Sequence, residues 1–148
     1  MKKSHLIMLV LFAVILASCA NQSGSQLVTN DGLDGNASGG QPAFQIIRAE
    51  ELDRLMREDD LILINVHIPL EGNIPGTGQT VPYNDIGQHL DLLPEDKDEK
   101  IYLYCLSGGM GDIAAQTLAQ LGYTQIWNLE GGYNAWRAAG LPFEEVLE

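Results

Sequence analysis

From Phe44 onward, short apolar runs alternate with amphipathic stretches. Gln45 to Ile47 predicts a short strand. Glu50 to Arg57 places Leu52, Leu55 and Met56 on one face, the spacing of a helix, although Arg48 stands where a capping Ser or Asp is expected. Leu61 to Val66 is an apolar run suited to a central strand covered on both faces. A loop with Pro69, Gly72, Pro75, Gly76 and Gly78 follows, then a minor strand at Val81 and a short helix from Asp85 to Leu92. Ile101 to Cys105 predicts the next buried strand. Ile113 to Leu121 predicts a helix with Ala114, Leu118 and Leu121 inward and Gly122 as its stop. Gln125 to Asn128 is a further strand, and Gly132 to Ala139 the last helix, closed by Gly140 and Leu141-Pro142. Alternating strands and helices predict an α/β fold, a central parallel sheet with helices on both faces. In such sheets, sites form beyond the carboxyl ends of the strands.

The first residues follow a different pattern. Lys2 and Lys3 precede an apolar stretch from Leu6 to Leu16, which ends in Ala17-Ser18-Cys19. A basic start, a short apolar run and small residues predict a secretory signal over residues 1–18, too short to span a bilayer. Leu16-Ala17-Ser18-Cys19 resembles the lipobox of bacterial lipoproteins. The resemblance implies cleavage before Cys19, lipidation of its sulfur, and an exported protein anchored to the bacterial cell membrane or outer membrane, facing away from the cytoplasm. The alternative is an ordinary cleaved signal that happens to carry a cysteine. Asn21 to Gln41 is rich in Gly, Ser, Asn and Gln, so residues 19–42 read as the lipidated cysteine and a flexible linker. Such a linker reaches roughly 25 Å. Residues 43–148 then form one domain, without an internal repeat.

The formal charge is −12, and losing Lys2 and Lys3 with the signal makes it −14. A body this acidic repels nucleic acid and anionic lipid, so the membrane anchor must be the acyl chains. The chain has two cysteines. With Cys19 lipidated, Cys105 is the one free thiol, which argues against a dithiol oxidoreductase. His67, His89 and Cys105 have no ligand-like spacing, and neither a metal nor a cofactor is expected.

Cys105 carries the chemistry. The apolar run Ile101-Tyr102-Leu103-Tyr104 ends at this thiol, Leu106-Ser107-Gly108-Gly109-Met110-Gly111 follows, and a helical pattern starts at Asp112. A strand, a glycine-rich turn and a helix start can converge backbone N–H groups on the sulfur, with the positive end of the helix dipole behind them. That arrangement stabilises a thiolate and makes it nucleophilic. The alternative for a lone cysteine is a buried structural role.

Ile101 through Gly109, the helix after it, Leu121-Gly122-Tyr123, and Asn128-Leu129-Glu130-Gly131-Gly132 followed by Trp136 and Gly140-Leu141-Pro142 resemble a single-domain rhodanese (sulfurtransferase) module. Upstream, Leu63-Ile64-Asn65-Val66 and Gly72-Asn73-Ile74-Pro75-Gly76 are similar to that family's first landmarks. The resemblance covers roughly residues 43 to 145. It implies that Cys105 accepts a sulfane sulfur as a persulfide, that the N–H groups of Leu106, Ser107, Gly108, Gly109, Met110 and Gly111 cradle it, and that the sulfur passes to a nucleophilic acceptor.

The departures define the expected substrate. The acid-then-basic pair usual after the family's second strand reads Asn65 and His67, and Asn73 replaces the usual His. Leu106 and Met110 stand where the loop commonly has basic residues, and Gly111 stands where a Ser usually follows. The same position holds the arginine of related Cys-x5-Arg phosphatases, so phosphate-ester chemistry is not expected. Asp112 adds a negative charge that opposes the dipole. Without cations, thiosulfate is not expected to be the preferred donor. A polysulfide, a small persulfide or a partner protein remains as donor, and a small thiol or protein as acceptor, with the domain a monomer. His67 could bond in the mouth or relay a proton, or be an exposed loop histidine. Ser107 could turn toward the sulfur or bond its own backbone, and Glu71 could line the entrance or be a solvated acid. The competing functional reading is a catalytically silent rhodanese-like binding module at the cell envelope.

Overall fold

The structure is a computed structural model that describes residues 43–146. The predicted signal, Cys19 and the linker lie outside the described residues. Along the chain run β1 (Gln45–Ile47), α1 (Ala49–Glu58), β2 (Ile62–Asn65), β3 (Gly72–Asn73), β4 (Gln79–Thr80), β5 (Ile101–Tyr104), α2 (Gly109–Gln120), β6 (Ile126–Leu129), α3 (Gly132–Ala138) and β7 (Glu144–Glu145). The main sheet has the order β1-β6-β5-β2-β4, and every pairing in it is parallel. The α/β prediction of a parallel sheet covered on both faces therefore holds.

Strand parity divides the core. Ile64, Val66, Ile101, Leu103 and Cys105 pack on one face against Ala114, Ala115 and Leu118 of α2. Leu63, Tyr102, Tyr104 and Leu129 pack on the other against Ala49 and Leu52 of α1 and Tyr133 and Trp136 of α3. Alternate side chains of a strand point to opposite faces, so β5 at the centre needs apolar residues at every position. α1 lacks a side-chain cap at Arg48, as expected.

Several local expectations are corrected. The short helix from Asp85 to Leu92 is two 3-10 turns, Ile86–Gln88 and Leu90–Leu92. The minor strand is Gln79–Thr80, although Val81 N still donates to Asn65 O at 2.9 Å. The antiparallel pair β3–β7 has no sequence signal of its own. Leu121 is exposed, because it lies beyond the last turn of α2. Gly122 N bonds Ala119 O and Tyr123 N bonds Leu118 O, a Schellman ending that stops the helix where Gly122 predicts.

The correction that bears on function is the start of α2. It begins at Gly109, so Gly109, Met110 and Gly111 form its first turn and not a loop before it. Glycines are poor helix formers, and here packing overrides propensity. A Cβ on Gly111 would overlap the Asn128 Oδ1 atom and meet Cγ at 2.6 Å. Glycine thus lets the helix rest directly on β6.

Candidate active site

Residues from the carboxyl ends of β2 and β5, the turn 105–108, the β2–β3 loop and the first turn of α3 meet at one edge of the sheet. Val66 N bonds Tyr104 O at 2.9 Å, which sets His67 beside the chain end of β5. Cys105 follows β5 directly and is 1% exposed. Its Sγ accepts a hydrogen bond from Gly108 N at 3.1 Å.

The orientation of the turn follows from its carbonyls. Cys105 O accepts from Tyr133 N at 2.8 Å, and Leu106 O accepts from Asn134 N at 3.1 Å. In a planar trans peptide, N–H and C=O point oppositely, so these two bonds turn the amides of Leu106 and Ser107 away from α3. Gly108 O accepts from Asp112 N at 3.0 Å and from Asn128 Nδ2 at 2.9 Å, which fixes the next peptide in the same way. Among the described residues, the amides of Leu106, Ser107, Gly109, Met110 and Gly111 have no protein acceptor. For the last three this is the normal state of a helix start. One amide reaches the sulfur in this conformation.

Gly132 makes the contact with α3 possible. Its φ is 58°, and a Cβ there would overlap Cys105 O and meet the Leu106 carbonyl carbon at 2.6 Å. Any side chain would push α3 off the turn and release both carbonyls.

His67 is 4% exposed, so it is not an exposed loop histidine. Neither ring nitrogen has a hydrogen-bond partner. Nε2 lies 3.9 Å from Glu71 Oε1, beyond hydrogen-bond range, and the ring meets Tyr133 edge-on at 5.6 Å. Tyr133 donates its hydroxyl to Glu71 Oε2. Burial, then the Glu71 carboxylate, push the Tyr133 phenol well above its ordinary pKa, and Cys105 lies within charge range and pushes in the same direction. Glu71 thus bonds Tyr133 and flanks His67 with its side chain half out in solvent.

The remaining residues have plainer roles. Asn65 Nδ2 bonds Gly72 O and Asn73 Oδ1, and its Oδ1 accepts from His67 N, so Asn65 shapes the β2–β3 loop. Tyr104 bonds Ile74 N, Thr77 and Asn73; burial raises its pKa against the opposing hydrogen bonds from Thr77 and Ile74. Ser107 is exposed, and its hydroxyl bonds neither the sulfur nor the backbone. Leu106 and Met110 pack at the edges of the two core clusters. No Lys or Arg occurs between Ile101 and Trp136, and Arg137 pairs with Glu145 at 3.1 Å. Asp112, whose charge is expected to oppose the dipole, accepts from Asn128 Nδ2 at 2.8 Å.

Tyr133 and Asn128 escape a reading of the sequence, which treats them as ordinary helix and strand residues. A tyrosine just after Gly131-Gly132 is the available signal, since a buried phenol needs a partner for its hydroxyl.

A family model described as the rhodanese-like domain matches residues 48–139, more than half of the chain. A sulfurtransferase from Allochromatium vinosum is 36% identical over 92 residues, which are 60% of this chain and 83% of that protein. A thiosulfate sulfurtransferase from Pseudoalteromonas translucida is 25% identical over 100 residues, 66% of this chain and 92% of that one. Of three further curated relatives the chain spans 54%, 36% and 59% of their lengths. Among solved structures, a rhodanese-related protein from Thermoplasma volcanium superposes with a TM-score of 0.58 at 27% identity, covering 71% of this chain and all of that one. The sheet order, the cysteine at the end of the central strand and the matched family model agree: the chain belongs to the rhodanese-like family, whose members similar to it include sulfurtransferases.

Proposed function

We propose that Cys105 carries a sulfane sulfur as a persulfide, taken from an uncharged or protein-borne donor and passed to a thiol acceptor. The observation that carries this reading is the Gly108 N–H donated to Sγ at 3.1 Å, from a turn whose other amides lack acceptors. In the first step the Cys105 thiolate attacks the terminal sulfur of a donor R–S–SH. A sulfur–sulfur bond to Cys105 forms as the donor's breaks, and RS⁻ leaves with the electron pair and takes a proton to become RSH. An acceptor thiolate then attacks the outer sulfur and returns Cys105 to its thiolate. The Gly108 N–H supplies a fixed dipole to the anionic sulfur of Cys105, and the acceptor-free amides of the turn are the groups suited to hold the outer sulfur. His67, buried with both nitrogens unpartnered, is the group suited to give the leaving thiolate its proton. A dianion such as thiosulfate finds no Lys or Arg from Ile101 to Trp136. The lipobox-like Leu16 to Cys19 supports an envelope tether through Cys19.

The near-complete burial of Cys105 favours a second reading, a silent binding module. One experiment separates the two. The domain is treated with a low-molecular-weight alkyl persulfide, and intact mass is followed before and after addition of a thiol. Carriage predicts one added sulfur on the wild type, absent in Cys105→Ala and removed by the thiol. No added sulfur, with Cys105 also inert to alkylation at neutral pH, leaves only the binding module.

A further inference from the structure

Glu71 holds a place at which its charge is unexpected. Its carboxylate accepts the Tyr133 hydroxyl and faces His67 Nε2 at 3.9 Å, yet its side chain is 52% exposed while His67 is 4% and Tyr133 1% exposed. It therefore stands between solvent and the buried side chains of His67 and Tyr133, whose segments bond the end of β5 and the sulfur turn through Val66 N and Tyr133 N. Tyr133 links it to that turn, since its amide holds Cys105 O and its phenol lies within charge range of the thiol. Both His67 nitrogens lack hydrogen-bond partners, so the Glu71 carboxylate beside Nε2 does not satisfy the ring. Arg137, four residues after Tyr133, pairs with Glu145 at 3.1 Å and lies within charge range of the Tyr133 phenol, whose pKa it lowers against the larger effects of burial and Glu71.

We infer that Glu71 is a specificity-determining residue, an anionic screen that keeps negatively charged reagents from Cys105 and admits uncharged ones. Loss of the loop cations removes attraction for an anionic donor; Glu71 adds repulsion against it, which is how selectivity against a wrong ligand is commonly built. A donor reaching the sulfur displaces the carboxylate from Tyr133 and finds His67 free to bond. This inference deepens the proposed sulfur transfer and names its donor class, but its test does not depend on turnover.

The probe is the ratio of Cys105 alkylation rates by iodoacetamide, which is neutral, and iodoacetate, which is not. Glu71→Gln keeps an acceptor for the Tyr133 hydroxyl and removes only the charge. In a half-exposed site, its loss lowers the ratio by roughly three- to fivefold, mostly by speeding iodoacetate. Glu71→Ala removes the cover as well and speeds both reagents. Both substitutions leave the backbone bond from Val146 N to Glu71 O in place, and equal urea midpoints for wild type and Glu71→Gln check that the fold is kept. Loading of Cys105 from thiosulfate, read by mass, rises with Glu71→Gln by a similar factor, while loading from cysteamine persulfide, whose ammonium group balances its ionised sulfur, changes less than twofold. A ratio unmoved by Glu71→Gln, or alkylation no faster in Glu71→Ala, overturns the screen, even if the wild type carries sulfur. A shifted ratio with no donor able to load any variant upholds the screen and removes the sulfur-transfer reading.

Discussion

Gly111 and Asn128 are coupled, and the sign of a substitution at one is set by the other. A methyl at position 111 collides with Asn128 Oδ1 and Cγ, atoms of a side chain anchored by bonds to Gly108 O and Asp112 Oδ1. Overpacking of this kind costs about 1–3 kcal/mol. Against it, alanine is favoured over glycine inside a helix by roughly 0.5–1 kcal/mol. Gly111→Ala alone therefore destabilises by about 1–2 kcal/mol. Asn128→Ala alone costs roughly 1–3 kcal/mol, because it strips a partner from two acceptors while removing an unpaired Oδ1. In the Asn128→Ala background the collision is gone and only the helix preference remains, so Gly111→Ala there stabilises by about 0.5–1 kcal/mol. The coupling energy is then about 2 kcal/mol, well above the error of a double-mutant cycle. Urea unfolding of the four proteins measures it as a shift in midpoint at constant slope. An equal penalty for Gly111→Ala in both backgrounds refutes the claim that Asn128 reserves this space. The same contact explains why no side chain, cationic or other, stands at position 111.

Two further outcomes follow from the polar groups around the site. Tyr133 has its pKa raised in the folded state, so its neutral form contributes stability fully present below the unfolded tyrosine value near 10 and lost as pH rises above it. Unfolding free energy falls by roughly 1 kcal/mol more between pH 9 and 11 in the wild type than in Tyr133→Phe, and parallel pH curves contradict this. Tyr104→Phe leaves the buried Ile74 N–H without its acceptor and costs about 1–3 kcal/mol in urea unfolding, with no change in the alkylation ratio at Cys105. A cost below about 0.5 kcal/mol shows that Ile74 N–H finds water instead.

The architecture was largely legible from local pattern. Buried central strands must be apolar at every position, which marks β2 and β5, and Gly122 and Gly140 mark where helices end. The place of Cys105 was legible too, since the apolar run of β5 ends at it and a glycine-rich turn follows, although one amide of that turn, Gly108 N, reaches the sulfur. The start of α2 was not. Gly109-Met110-Gly111 lacks helix propensity, and only the approach of Asn128 from a strand 17 residues later in sequence makes glycine the fitting residue at 111. The β3–β7 pair was also hidden, since two-residue strands carry too few positions to show a period.

Chain order and hydrophobic period by themselves determined a parallel α/β sheet with a thiol at the end of its central strand, because burial on two faces imposes composition directly. Tertiary structure alone decided what surrounds that thiol. Tyr133 and Glu71 lie 62 residues apart, and their contact with each other and with His67 arises only when α3 docks on the Cys105 turn. The polar groups at the sheet edge that holds the sulfur are brought together from separate segments of the chain. No window along the sequence contains all of them at once.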